Sequence, residues 1–446
     1  MPDRSIRRVL AACRGEAALR ILRSARAGGI ETVVLFSARD AEAEWVEAAD
    51  YAVYVPDEPE AWPSVERVVS AGVDAGCDAV HPGWGALCRS AWSAELVVRS
   101  GMAWLGPSLP ALEAVSDRTA QRAAAAQLEI PMVPGSDPVT ESLQVHTWMA
   151  WAGAPALLKP IDTLGLPGRS VRIDDAEASA ELIGAVLADG PAILERLVLD
   201  AREIEIPVLA GVDGRVAALG DRETTVRSGH DRLLVESPAA GLSDDQRAAM
   251  RDYAVRLATR LGWRGLGAVR FLLTGDGRAW FLGLRPGLTP WHAATEVALG
   301  LDLVETELHL ASGAHLGWES DDLLPVGHAI TVRVPVSATA TVTGVVEPAD
   351  VAVQAAAVPG DVLEAGELCG SVTVRAPTRQ AALVRARAVL DRWPVQGVPL
   401  DDVPLRALLD DPGFWQAPVH RERAAALTGL GERALPGRRD SGAPAD

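Results

Sequence analysis

No asparagine occurs in the 446 residues, and lysine occurs once, at Lys159. Both residue types have A-rich codons, so a GC-rich coding bias accounts for the shortage. Arginine standing where lysine is usual then carries little message, whereas a lysine that persists points to a role a planar guanidinium cannot fill. A biotinylated or lipoylated carrier domain needs its own lysine in a tight hairpin. The chain has none outside "ALLKPI", so no covalently bound biotin is expected. Cys13, Cys77, Cys88 and Cys369 lie far apart, without the close spacing of metal or redox pairs, and read as small core residues. No apolar run reaches the roughly 18 residues a membrane helix needs. Arg14 and Glu16 interrupt the N-terminal apolar stretch that a signal peptide would require. A cytoplasmic protein without membrane association is expected. The net charge of -18, with acids spread along the chain, excludes a general nucleic-acid binder. One further shortage is local. From Gly277 to Thr295 there is no acidic residue, only Arg278 and Arg285, although a strand ending at Pro286-Gly287 is where α/β enzymes mount catalytic groups.

What is present is strand-helix alternation. Residues 1–112 read as parallel, doubly wound α/β: strands at "RRVLAAC", "ETVVLFS", "YAVYV", "CDAVHPG" and "MAWLGPS", with helices between them. One long Ala-rich helix is expected from Leu109 to Glu129. A second α/β unit follows, with strands "PALLKPI", "SVRI" and "AILERLV". Next come the hairpin "EIEIPVLAGVDGRVAALGDRE", the helix "SDDQRAAMRDYAVRLATRLGW" and the hairpin "GLGAVRFLLTGDGRAWFLGL". The helix "HAATEVALGLDLVETELHLASG" closes this part, and short strands and helices run on to about Arg433. The tail from 435 to 446 has the composition of disorder. The first turn, "CRGEAA", lacks the G-x-G-x-x-G dinucleotide pattern.

The motifs "RGEAALRI", "HPGWGAL", "GPS" (106–108), "VPGSD" (133–137), "ILER" (193–196) and "GHAITVR" (327–333) occur in this order. Together with the "ATEVALGLDLVETELHLASG" helix they make the chain resemble the biotin carboxylase family of ATP-grasp enzymes over nearly its whole length. The resemblance implies a Rossmann-like N-terminal domain (1–112) and an ATP-grasp core (113–313) with a lid at about 131–197. A mixed α+β C-terminal domain (325–434) would follow.

The resemblance also assigns positions. On the nucleotide side it places Lys159, Arg118, Glu195 with Arg196 in the hinge, the Val198 backbone and His230. The lid loop "KPIDTLGLPGRSV" keeps Gly165 and Gly168. It also holds Pro160, Pro167 and Asp162, which take away N–H donors and add negative charge where phosphates would lie. The metal positions are occupied by Arg270, Gly283 and Arg285, the catalytic arginine position by Gly287 and the base position by Trp291. Arg333, and Arg232 in place of a lysine, remain. Magnesium needs hard oxygen ligands, so no metal site is expected at these positions.

The sequence therefore points to a catalytically degenerate, biotin carboxylase-like subunit with weak ATP binding, regulating or scaffolding an acyl-CoA carboxylase-type assembly. Its expected partners are a genuine biotin carboxylase, biotin carrier or carboxyltransferase subunit, in a homo- or heterodimer. The alternative is an active ATP-dependent carboxylase or ligase whose metal ligands have moved to Asp221, Glu223, Glu203, Glu205 and Glu236. The plainer expectation for those acids is a solvated hairpin face. A third reading has Arg270 and Arg285 take up phosphate oxygens directly, or else pair with Asp221 or Glu223 to plug the pocket.

Overall fold

The computed structural model describes residues 6–56, 63–162, 170–229, 231–346, 351–354 and 359–429. The loop residues 163–169, His230 and the tail named above lie outside the described residues. Five parallel strands open the chain: β1 (Arg8–Ala11), β2 (Glu31–Phe36), β3 (Tyr51–Tyr54), β4 (Ala79–His81) and β5 (Ala103–Trp104). Their spatial order is β3-β2-β1-β4-β5. β1 is central and its Val9, Leu10 and Ala11 are buried, so the strand reads as a continuous apolar run rather than an alternating one. The helix Gly15–Ala27 packs Ala18, Ile21, Leu22 and Ala25 on this sheet.

The single long helix expected after Leu109 is two helices, Leu109–Ser116 and Arg118–Gln127. Asp117 breaks it. Its backbone leaves the helical region, and its carboxylate accepts hydrogen bonds from the Thr119 and Ala120 N–H groups, starting a new N-terminus. The helix expected from His292 onward divides for a similar reason. Gly300 ends His292–Leu299 in the left-handed conformation (φ 68°), and Asp302 caps Leu303–Ala311.

A small antiparallel sheet of β6 (Ala156–Pro160), β7 (Val171–Ile173) and β8 (Ala192–Arg196) follows, in order β7-β6-β8. The largest sheet described is built from β9 (Arg202–Ala210), β10 (Val216–Ala218), β11 (Arg222–Ser228), β12 (Asp231–Ser237), β13 (Gly265–Leu273), β14 (Ala279–Pro286) and β15 (His328–Pro335). Two further strands, β16 (Ala352–Gln354) and β17 (Leu368–Ala376), extend it. The order is β14-β13-β9-β11-β12-β15-β17-β16, with β10 on β9. The hairpin β11–β12 is absent from the sequence reading, although "RETTVRS" is rich in β-branched residues and "DRLLVES" carries the apolar run Leu-Leu-Val. It is what joins the two halves of the sheet, because β12 pairs with β15. Its Val226, Leu233 and Leu234 share one core with the C-terminal strands and helices. The four cysteines are buried and free, as small core residues should be. Among the described residues no helix is long and apolar enough to cross a membrane.

Candidate functional site

Strand β9 begins Arg-Glu-Ile-Glu-Ile, so Glu203 and Glu205 fall on one face and Ile204 and Ile206 on the other. The isoleucines enter the core with Met250 and Phe271. The glutamates are just as deeply placed, at 1% and 0% exposure. Buried carboxylates persist only where paired and hydrogen-bonded, and the neighbouring strands supply the pairs. Antiparallel register sets Arg270 of β13 and Arg222 of β11 opposite Glu205. Glu205 accepts from Arg222 Nε at 3.0 Å, Arg285 Nε at 3.1 Å and Trp291 Nε1 at 3.0 Å. Glu203 accepts from Arg270 Nη2 at 2.6 Å and Arg232 Nη2 at 2.5 Å. The Trp291 ring, 4% exposed, has the Arg285 guanidinium 4.8 Å from its centroid and that of Arg232 at 5.6 Å. Burial opposes ionisation of Glu205, yet Arg222, Arg285 and Arg270 outweigh it and hold the carboxyl at about 2. Glu203 is held well below the usual carboxylate range against the same burial, by Arg232 and Arg270. Burial pulls Arg285 down to about 9.

The partners of Arg270 and Arg285 are therefore Glu203 and Glu205, not the expected Asp221 or Glu223. The expectation of a solvated acidic hairpin face is also overturned: Asp221, Glu223 and Glu236 are at most 6% exposed. The reason is that each has its own arginine. Asp221 pairs with Arg247 and accepts from the Ala239 N–H at 2.7 Å. Glu223 takes Arg202 through both oxygens, at 3.0 and 2.7 Å. Glu236 takes Arg379 at 2.7 and 2.9 Å and His328 Nε2 at 3.0 Å. Burial opposes the charge on Glu236, but these bonds to His328 and Arg379 bring its carboxyl to about 2.

Glycine at 283 and 287 also changes the backbone. Gly283 lies opposite Arg270 at φ 151°, beside a register shift that leaves Leu282 as the extra residue on β14. Gly287, at φ 67°, follows the strand end, and a Cβ there would meet Cys88 at 3.5 Å. Neither conformation suits a side chain-bearing residue.

At the nucleotide end, Lys159 on β6 is 5% exposed and its ammonium bonds the Glu195 carboxylate on β8. Arg122 donates to the other Glu195 oxygen at 2.8 Å and to the Val133 carbonyl at 3.1 Å. Burial lowers the Lys159 ammonium below its ordinary value. Burial works against ionised Glu195, but Lys159 and Arg122 prevail and keep it low. Arg118 donates to the Pro160 carbonyl at 2.9 Å. Arg118, Gln121, Arg122, Glu195, Phe281 and Leu282 line a narrow cleft. Arg122 is missing from the sequence reading, though its spacing of four from Arg118 puts both on one helix face. Arg196 is exposed, with its Nη2 bonded to the Ala152 carbonyl. Val198 packs beside Val133, Ala201 and Leu272. Arg333 is buried on β15 beside Glu16, which accepts from Ser371 Oγ at 3.1 Å. Burial pushes the Glu16 carboxyl up to about 7.

Residues 5–112 match the family described as biotin carboxylase, N-terminal domain, and residues 117–318 match the ATP-binding domain of carbamoyl-phosphate synthase L chain. A chloroplastic biotin carboxylase 2 of Populus trichocarpa is 30% identical over 416 residues, covering 88% of this chain and 78% of its own length. The chain belongs to the biotin carboxylase family. The alpha3 subunit of a biotin-dependent acyl-coenzyme A carboxylase of Mycobacterium leprae is 30% identical over 434 residues, 92% of this chain and 72% of that one. The biotin carboxylase domain of 2-oxoglutarate carboxylase from Hydrogenobacter thermophilus, a dimer solved with MgADP, ADP and bicarbonate, superposes with a TM-score of 0.90. It covers 97% of this chain and 100% of that one at 23% identity, which establishes the biotin carboxylase fold and no more.

Proposed function

We propose that this biotin carboxylase-family chain is a catalytically degenerate subunit that regulates or scaffolds an acyl-CoA carboxylase-type assembly. The observation that carries the reading is the closed bond set of Glu205 with Arg222, Arg285 and Trp291. The residues present do not fit a divalent cation. Magnesium needs oxygen ligands in near-octahedral array. Here the two nearest carboxylates are already neutralised, and guanidiniums from Arg222, Arg232, Arg270 and Arg285 would repel the ion. Trp291, at the position of the base, has no titratable proton to exchange at neutral pH.

ATP binding would be weak, because Lys159 must leave Glu195 before it can meet a phosphate, and the cleft must widen for a base. The partners proposed are a genuine biotin carboxylase, a biotin carrier or a carboxyltransferase subunit, met through a dimer surface of the kind related chains share. The test is ADP release by the purified chain with Mg-ATP, bicarbonate and free biotin. No bicarbonate-dependent turnover above background is expected. Turnover in the ordinary enzymatic range, about 1 s⁻¹ or faster, would establish the active alternative instead.

A further inference from the structure

The cluster around Glu203 and Glu205 contains more positive charge than those two carboxylates need. Arg222, Arg227, Arg232, Arg270 and Arg285 act electrostatically on them, five arginines against two glutamates. A plug requires one counter-charge per carboxylate. Three surplus charges in a buried setting are a cost, and in a chain of net charge -18 they are not part of a general basic surface. Arg227 shows the cost most plainly. It sits directly across the β11–β12 hairpin from Arg232, a like-charge pairing that destabilises a sheet. Its side chain makes no hydrogen bond or ion pair with any described residue. Burial and the nearby Arg421 pull it down to about 10. Arg285 spends only its Nε on Glu205, and its two terminal NH2 groups bond no described residue. The Arg270 and Arg285 side chains remain 21% and 16% exposed, so part of the surplus charge is open to solvent.

We propose that this cluster is a metal-independent binding site for phosphate-type polyanions, in which guanidinium groups supply the counter-charge that a divalent ion would otherwise bring. The inference rests on the degenerate-site reading above and names the ligand class of that site. Planar N–H forks match phosphate oxygens in pairs and need no metal bridge. Three surplus charges favour an oxyanion of two or more negative charges over a monocarboxylate, which would leave two uncompensated. Arg118 and Lys159 lie within electrostatic range of Arg270, so positive charge extends from the nucleotide cleft toward the cluster. Inorganic phosphate, pyrophosphate and the phosphate chain of a nucleotide share this chemistry.

The experiment is isothermal titration of the full chain with phosphate, pyrophosphate and ATP, each in EDTA and again with excess magnesium. Binding of pyrophosphate or ATP in EDTA is expected, with magnesium leaving the affinity unchanged or weakening it, since the ion removes charge from the ligand. Pyrophosphate equal to ATP assigns recognition to phosphate alone, and a clear preference for ATP assigns the nucleotide as the source. Arg227→Gln and Arg285→Gln should each weaken the bound anion on the order of tenfold, as loss of a charge-assisted bond does. The exposed control Arg99→Gln should not. Arg227→Gln should also raise the melting temperature of the ligand-free protein, a signature that damaged folding would not give. Absence of heat with all three anions in EDTA overturns the proposal. So does binding that appears only with magnesium, or an Arg227→Gln variant that melts lower and binds as before. Bicarbonate-dependent turnover would sink the degenerate-subunit reading while leaving the EDTA titration to decide the anion site.

Discussion

The two ends of the cleft solve the same problem of buried charge in different ways. At the nucleotide end one carboxylate, Glu195, is shared by Lys159 and Arg122, and Arg118 lies beside them on a backbone carbonyl. At the other end Glu203 and Glu205 are held by guanidiniums and an indole N–H drawn from β11, β12, β13, β14 and the turn before His292. The first end has a spare partner for its carboxylate, so one cation can be released to a ligand at modest cost. The second ties five chain segments through two carboxylates, so each glutamate has become a structural element of the sheet. Buried charge can thus be held either by a shared carboxylate with a spare cation or by a network that pairs polar groups across several strands.

The largest expected effect tests that contrast directly. Glu205→Ala removes the acceptor for Arg222, Arg285 and Trp291 and should cost about 3–5 kcal/mol in denaturant unfolding, the loss typical when a buried pair is broken. Lys159→Met leaves Glu195 with Arg122 and should cost roughly half as much or less. Equal losses would break the comparison.

Acid is the next lever. Glu205 and Glu236 have folded-state values of about 2 against 4.5 for the free side chain. The folded state therefore binds fewer protons than the unfolded one between those values. Their contribution is fully present above pH 4.5 and is lost as pH falls toward about 2. Each carries on the order of a few kcal/mol. A melting-temperature series should fall steeply below pH 4.5, and Glu236→Gln, already destabilised at neutral pH, should show a shallower fall. A curve of the same shape in both proteins would remove Glu236 from this role.

The smallest effect concerns the turn after β14. Gly287→Ala meets Cys88 only at ordinary contact distance, so its cost is the φ of 67° and should be about 1 kcal/mol. An unchanged unfolding midpoint would mean the turn relaxes, and that the glycine there is not what holds it.

Much of this was legible from residue order. Strand-helix alternation gave the parallel sheet, and "GAVRFLL" with "AWFLGLRP" read as the hairpin that β13 and β14 form. The alternation of Glu203 and Glu205 along β9 was visible too, yet it reads equally well as a wet edge. The partners that decide between wet and dry come from 17 to 86 residues away. The hairpin β11–β12 is not legible because its sequence is mostly polar, and it is buried because Val226, Leu233 and Leu234 join a core while most of its charges are paired across the sheet. The capped breaks at Asp117 and Gly300 were hidden inside apolar patterns that continue through them.

The sequence by itself determined which residue types stand at 270, 283, 285, 287 and 291, none of them a carboxylate, whatever the fold does with them. Only the tertiary structure decided what became of the charges left behind. Pairing depends on which strands lie side by side and in what register, and a linear chain does not specify that Arg285 meets Glu205 while Arg227 faces Arg232 across the β11–β12 hairpin.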